Sequence, residues 1–361
     1  MPILTVMSDE RPFTNDELAD AVIDTRQHAT SVPEPFMATY EVLTEHGSEP
    51  RVEATQLEGG RWQVRVTVEG GERSLIRPAA AEPVIIPRDE LAADVLAGRA
   101  GALHPSLPDH LEFAVVPELL ERAEKFRIRF GDLHYTPTTI FQPDGRRPYY
   151  DERYPWGCLV RLTTPRGWTG SGVLIGPRHV LTASHCIDWT PGWAQVDVLY
   201  TNSLSLAQSG ATHVYAETKV GPGQISDADS DEDYAVIVLD QRLGDRFGWL
   251  GARTYDSDWD DEQLAWRSIG YPEDLSATGQ TAAWQGDFLL NELGADLGSA
   301  RLIRSDTFDN WPGQSGSPIF GFWSDGPYAV GVVSGQRADY NYISGGSLLA
   351  SIVQRARNDH P

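Results

Sequence analysis

The stretch W-P-G-Q-S-G-S-P-I-F, residues 311–320, sets Ser315 between Gly313 and Gly316 just before an apolar run. Such a turn can present a hydroxyl nucleophile while aiming its own backbone N–H at a reacting carbonyl. A serine hydroxyl is a poor nucleophile near neutral pH and needs an adjacent base, itself oriented by a third group. Both partners occur upstream. G-S-G-V-L-I-G-P-R-H-V-L-T-A-S-H-C-I, residues 170–187, brings His185 after the small residues Ala183 and Ser184, and Asp233 opens D-Y-A-V-I-V-L. The chain order is His185, Asp233, Ser315, with separations of 48 and 82 residues. Together they read as an acyl-transfer constellation of nucleophile, general base and orienting acid. The alternatives are a core histidine beside a buried cysteine, and an Asp233 that merely ends the acidic run D-A-D-S-D-E-D. Asp231 competes with Asp233, but only Asp233 stands immediately before the apolar strand. Asp227, Asp229 and Asp231 have calcium-loop spacing, yet no glycine follows and Val238 occupies the position of the bidentate acid, so no metal site is expected.

The elements around these residues are mostly strands. From Trp156 onward short alternating segments recur: L-V-R-L, G-V-L-I, A-Q-V-D-V-L-Y, A-V-I-V-L and Y-A-V-G-V-V. Strands at this density predict a sandwich or a pair of barrels. Helical spacing returns only at 347–357, through Leu348, Leu349, Ile352 and Val353. Before the strand-rich part, residues 1–135 read as an α+β domain without a catalytic motif. Its elements are an amphipathic helix over 14–28 capped by Thr14 or Asn15, a meander over 36–77 punctuated by Gly59-Gly60 and Gly70-Gly71, and helices over 89–96 and 117–125. A strand-like F-R-I-R-F follows. Residues 136–153, rich in Pro, Gly and charge, read as a linker, in which Arg146-Arg147 is a candidate processing site or simply an exposed charged pair. The catalytic segment is then 154–361.

Composition narrows the partners. The 361 residues carry 29 Lys+Arg against 52 Asp+Glu, a net charge of −23 spread over both halves, and the only lysines are Lys125 and Lys219. Such a surface repels phosphate backbones, which excludes nucleic acid as an expected partner. The first eleven residues hold too short an apolar run for a secretory signal, and no run approaches a membrane span, so a cytoplasmic protein is expected, with export by a non-standard route as the alternative. No cofactor is expected.

The three motifs resemble those of chymotrypsin-fold (trypsin-like) serine proteases, and G-Q-S-G-S-P with R-R-P-Y-Y-D-E-R-Y-P-W is most similar to the bacterial glutamyl-endopeptidase group. The resemblance runs over roughly residues 145–357. It implies a mainly β fold of two six-stranded antiparallel barrels with a C-terminal helix. It also implies a serine endopeptidase acting on proteins or peptides, with Ser315 as nucleophile, His185 as base, Asp233 as orienting acid, and the N–H groups of Gly313 and Ser315 as oxyanion hole. The alternative function is a latent or silent protease-like domain whose N-terminal domain recruits a protein partner; a third is acyl transfer to a non-peptide substrate.

Three positions depart from the family. Where animal members place the acid that receives a new amino terminus after zymogen cleavage, this chain has Gln314, so an uncut N-terminal region is compatible with activity. The family cysteine that pairs with the one after the histidine aligns with Gly170; Cys158, expected nearly opposite across a T-T-P-R-G turn, offers a bond to Cys186, the alternative being two buried thiols. In the primary pocket the histidine of the glutamate-preferring group is replaced by Val333 or Ser334, next to Gly335. Asp309 stands where trypsin-like enzymes bind Arg or Lys, unless Asp306 is the family's structural acid and Asp309 a turn residue.

Overall fold

A computed structural model describes residues 11–21, 51–56, 62–67, 81–98, 103–120, 140–141, 143–164, 167–189, 195–201, 204–221, 225, 227–275, 281–293 and 300–361. The chain divides into two compact units. The smaller, 32–78, contains the antiparallel hairpin β1 (Arg51–Gln56) and β2 (Trp62–Thr67). The two strands pair from Arg51 with Thr67 to Gln56 with Trp62. The rest of the expected meander, F-R-I-R-F, and most of the helix expected over 117–125 lie outside the described residues.

Everything else belongs to the larger unit, 1–31 with 79–361. It opens with α1 (Asn15–Asp20), a helix capped reciprocally by Thr14 and Glu17 that stops at an extended Ala21. There follow β3 (Glu82–Ile85), α2 (Arg88–Leu96) and β4 (Arg147–Pro148). Between α2 and β4, Pro117–Leu120 is extended rather than helical, because Leu119 bridges Tyr149. The chain then runs through β5 (Leu159–Thr163), β6 (Thr169–Gly176), β7 (His179–Thr182), β8 (Gln195–Val198), β9 (Ala207–Ala216), α3 (Asp227–Ser230) and β10 (Ala235–Leu239). β5 to β10 form a closed six-stranded antiparallel barrel, sealed where β10 pairs with both β7 and β9. β3 joins it in parallel along the outer half of β9.

The second half comprises α4 (Leu243–Phe247), β11 (Gly251–Ala252), β12 (Arg267–Gly270), β13 (Ala283–Gly286), β14 (Asn291–Glu292), β15 (Ala300–Ser305), β16 (Pro318–Trp323), β17 (Gly326–Gln336), β18 (Asn341–Gly346) and α5 (Ser347–Asp359). Its sheet runs β14-β15-β18-β17-β16-β12-β13-β4 and makes a half-barrel, with β11 beside β17. The fold is mainly β with a C-terminal helix, as expected, although only the first of the two expected barrels closes by strand pairing among the described residues. β10 is apolar throughout and fully buried, since one face looks into the closed barrel and the other meets α5. A separate aromatic cluster of Tyr255, Trp259, Trp266 and Trp323 fills the half-barrel.

The boundaries drawn at 135 and 153 are crossed by packing. Phe13 N–H donates to Phe322 O at 2.8 Å, Leu103 bridges Ala252, and Leu91 of α2 is buried in the core it shares with the closed barrel. Ser351 of α5 donates to Leu91 O, and Arg355 is paired with Asp94. The expected linker is also built in: Arg147–Pro148 pairs with β13, and Arg146 is 1% exposed. Charge and proline made this stretch look solvated, but Asp144 and Asp274 neutralise Arg146. Truncating Leu91 to Ala is therefore expected to cost about 3 kcal/mol and to shift a single transition shared with the barrels, read by tryptophan fluorescence during denaturation.

Candidate active site

His185 lies just past the end of β7, in a tight turn over Ser184–Cys186. The Ser184 hydroxyl donates to Thr218 O at 2.7 Å and accepts from Val220 N–H at 3.1 Å, which fixes the turn from the neighbouring loop. β10 pairs Ala235 with Thr182, so the residue two before Ala235 falls beside the histidine. That residue is Asp233, with no exposed surface. One carboxylate oxygen accepts the His185 backbone N–H at 2.8 Å, and the other sits 2.6 Å from Nδ1. A carboxylate at Nδ1 fixes the proton there and leaves the lone pair on Nε2, which has Cys186 Sγ 3.9 Å away.

The second oxygen of Asp233 also accepts from the Ser334 hydroxyl at 2.7 Å. Ser334, expected in the substrate pocket, thus lies behind the carboxylate. The sequence signal for this role was a small polar residue ending the apolar run of β17. Burial disfavours the imidazolium, but the Asp233 carboxylate and the adjacent Cys186 sulfur outweigh it, so the pKa of His185 is held well above the usual 6.5.

Ser315 is carried by the turn before β16. Gln314 N–H donates to Trp311 O, Ser317 N–H to Gln314 O, and Gly316 N–H to Val333 O. Among the described residues the N–H groups of Gly313 and Ser315 donate to no protein acceptor, so both are free for an oxyanion. Glycine is required twice: Gly313 has φ +93° and a Cβ there would come within 2.2 Å of Tyr271 O, while Gly316 has φ +80° and a Cβ would come within 2.2 Å of Ser171 O.

Ser171 of β6 ties this turn to the closed barrel. Its N–H donates to Ser315 O at 2.8 Å, and its hydroxyl donates to Gly313 O at 2.7 Å while accepting Tyr271 N–H. Sequence reading missed Ser171, the one serine of a glycine-rich strand. The neighbouring Gly170 has no room for a side chain, since a Cβ would sit 2.8 Å from Cys186 Sγ and 3.4 Å from Ser315 O. The turn of Ser315 and the turn of His185 therefore meet across Gly170.

The remaining expectations change. Cys158 and Cys186 are both free thiols. β5 and β6 pair Leu162 with Gly170 and Leu159 with Val173, which carries Cys158 four residues past Gly170. Its thiol donates to Phe247 O instead, and burial pushes its pKa well above the usual thiol value. Asp309 is buried rather than lining an open pocket. Its two oxygens accept the backbone N–H groups of Phe141 at 2.6 Å and Gly145 at 2.7 Å, so a basic substrate side chain finds it already used. Gly335 follows an irregularity in the pairing of β17 with β18. Among the described residues no group of three or more His, Cys, Asp or Glu could hold a metal ion.

Residues 170–326 match a family model described as a trypsin-like peptidase domain. A glutamyl endopeptidase of Bacillus licheniformis is 27% identical over 219 residues, 57% of this chain and 61% of the relative. An extracellular metalloprotease of Bacillus subtilis is 26% identical over 226 residues, 57% of this chain and 65% of the relative. The chain thus spans less than two thirds of the length of either curated relative. Among solved structures, a Glu endopeptidase in complex with MPD is 21% identical, with a TM-score of 0.49 and coverage of 61% of this chain and 100% of that one. His185, Asp233 and Ser315 all fall within the matched segment, over which the chain is similar to trypsin-like peptidase domains.

Proposed function

We propose that the chain is a serine endopeptidase working through His185, Asp233 and Ser315. The observation that carries this reading is the buried Asp233 carboxylate, which grips both Nδ1 and the backbone of His185 beside a turn that leaves two N–H groups unused. Ser315 Oγ attacks the peptide carbonyl while His185 Nε2 takes its proton. The negative oxygen that develops is held by the N–H groups of Gly313 and Ser315. The C–N bond then breaks as the imidazolium returns the proton to the leaving amine. Water, deprotonated by the same nitrogen, hydrolyses the acyl-enzyme and frees Ser315. Asp233 keeps the tautomer and stabilises the transient cation throughout.

A fluorophosphonate probe should label the folded wild-type chain and leave Ser315→Ala unlabelled. A folded protein that does not react would refute the assignment. A peptide-library cleavage profile, with Ser315→Ala as control, reports the residue preferred before the scissile bond.

Because His185 must be neutral to act as base and its cation is favoured, kcat/KM should rise with pH along a limb whose midpoint lies above 6.5. The same linkage makes protonated His185 a stabilising group. Its contribution is complete below the unfolded pKa and is lost as pH rises through the higher folded value. Ser334→Ala should lower kcat by roughly tenfold to a hundredfold with little change in KM, since it removes a buried donor to a charged group that does not touch substrate. A pH-rate series on the two proteins measures both effects.

A further inference from the structure

The residue before the nucleophile is held by a buried cation from outside the barrels. Arg146 precedes β4, and all five of its guanidinium N–H groups are used. Nε donates to Asp144 at 3.1 Å and Nη2 to Asp144 and Asp274 at 3.1 and 2.6 Å. Nη1 donates to Asp274 at 2.9 Å and to the Gln314 side-chain oxygen at 3.0 Å. The same Gln314 oxygen accepts the Trp311 N–H at 3.0 Å, so it closes the turn that carries Ser315. Burial disfavours the guanidinium charge, but Asp274 and Asp144 outweigh that cost and hold it firmly protonated.

Four further hydrogen bonds surround the same turn. Asp309 accepts the N–H groups of Phe141 and Gly145, and Gln314 Nε2 reaches Asp309 O at 3.4 Å. Glu273, beside Asp274, donates its N–H to Pro312 O at 2.9 Å.

We propose that Arg146 is a positioning residue for the oxyanion turn, supplying from within the uncut chain a buried cation that sets Gln314 and so aims the N–H groups of Gly313 and Ser315. The segment before β4 is then a permanent part of the active domain. Scission after Arg146 would not activate the chain; it would separate the clamp from the strand pairing that holds it in place. This rests on the reading of Ser315 as nucleophile, but the arrangement of the turn can be measured whether or not the protein cleaves peptides.

The test compares full-length wild type with Arg146→Lys, and with the triple variant Arg146→Met/Asp144→Asn/Asp274→Asn, in which the buried charges leave together so that no acid is stranded. Hydrogen exchange, followed by mass spectrometry on the peptide spanning Gln314 to Ser317, should accelerate at least tenfold in the triple variant while β10 is unchanged. The rate of fluorophosphonate labelling and kcat should fall about a hundredfold, as for loss of an oxyanion donor, with KM within about threefold. Arg146→Lys, which keeps a cation but loses the fork, should recover part of both. A triple variant with wild-type exchange in the turn overturns the proposal. If wild type itself fails to react with the probe while the turn loosens in the triple variant, the catalytic reading fails and the structural role of Arg146 stands.

Discussion

A carboxylate without exposed surface is tolerated only if its charge is met, and Asp233 is met by three donors: the backbone and ring of His185 and the hydroxyl of Ser334. The surrounding structure follows from that constraint. β10 must lie beside β7 in the register that brings Asp233 to the His185 turn, and β17 must place Ser334 behind the carboxylate. The bond between His185 and Asp233 thus belongs to the closed barrel, while the Ser334 donor comes from the half-barrel. One buried charge links the two sheets.

The second requirement is to hold the Ser315 turn, which uses two glycines at positive φ and leaves two N–H groups free. Such a turn needs outside support. Ser171 supplies it from one side and the Arg146 cluster from the other. Arg88 of α2 serves the companion loop, lying 3.1 Å from Glu232 and 3.9 Å from Asp231, next to Asp233. In a chain with net charge −23, arginines placed at these acid-rich loops keep buried carboxylates from repelling one another.

Much of the candidate site was legible in the sequence because the chemistry proposed for it is local. Small residues before His185, an acid at the head of an apolar strand, and glycines around Ser315 each have a short-range reason that survives without knowledge of the fold. The period-two strands and α5 were legible for the same reason. Pairing was not. The β5–β6 register, which separates Cys158 from Gly170, depends on where the hairpin turns, and a T-T-P-R-G stretch permits more than one answer. Residues 140–153 misled because proline, glycine and charge describe a solvated linker as well as a buried ion cluster. Only the placement of Asp144, Asp274 and Gln314 around Arg146 tells the two apart. Asp309 likewise sits at the position a pocket acid would take, but the segment before β4 occupies its oxygens.

The most direct test of the central interaction is the titration of His185 followed by NMR of the isotopically labelled imidazole in the intact chain and in Asp233→Asn. The account predicts a midpoint above 6.5 in the intact chain, with the Nδ1 proton retained when the ring is neutral, and a fall in that midpoint in the variant. A His185 that titrates at or below 6.5 with Asp233 in place would contradict it.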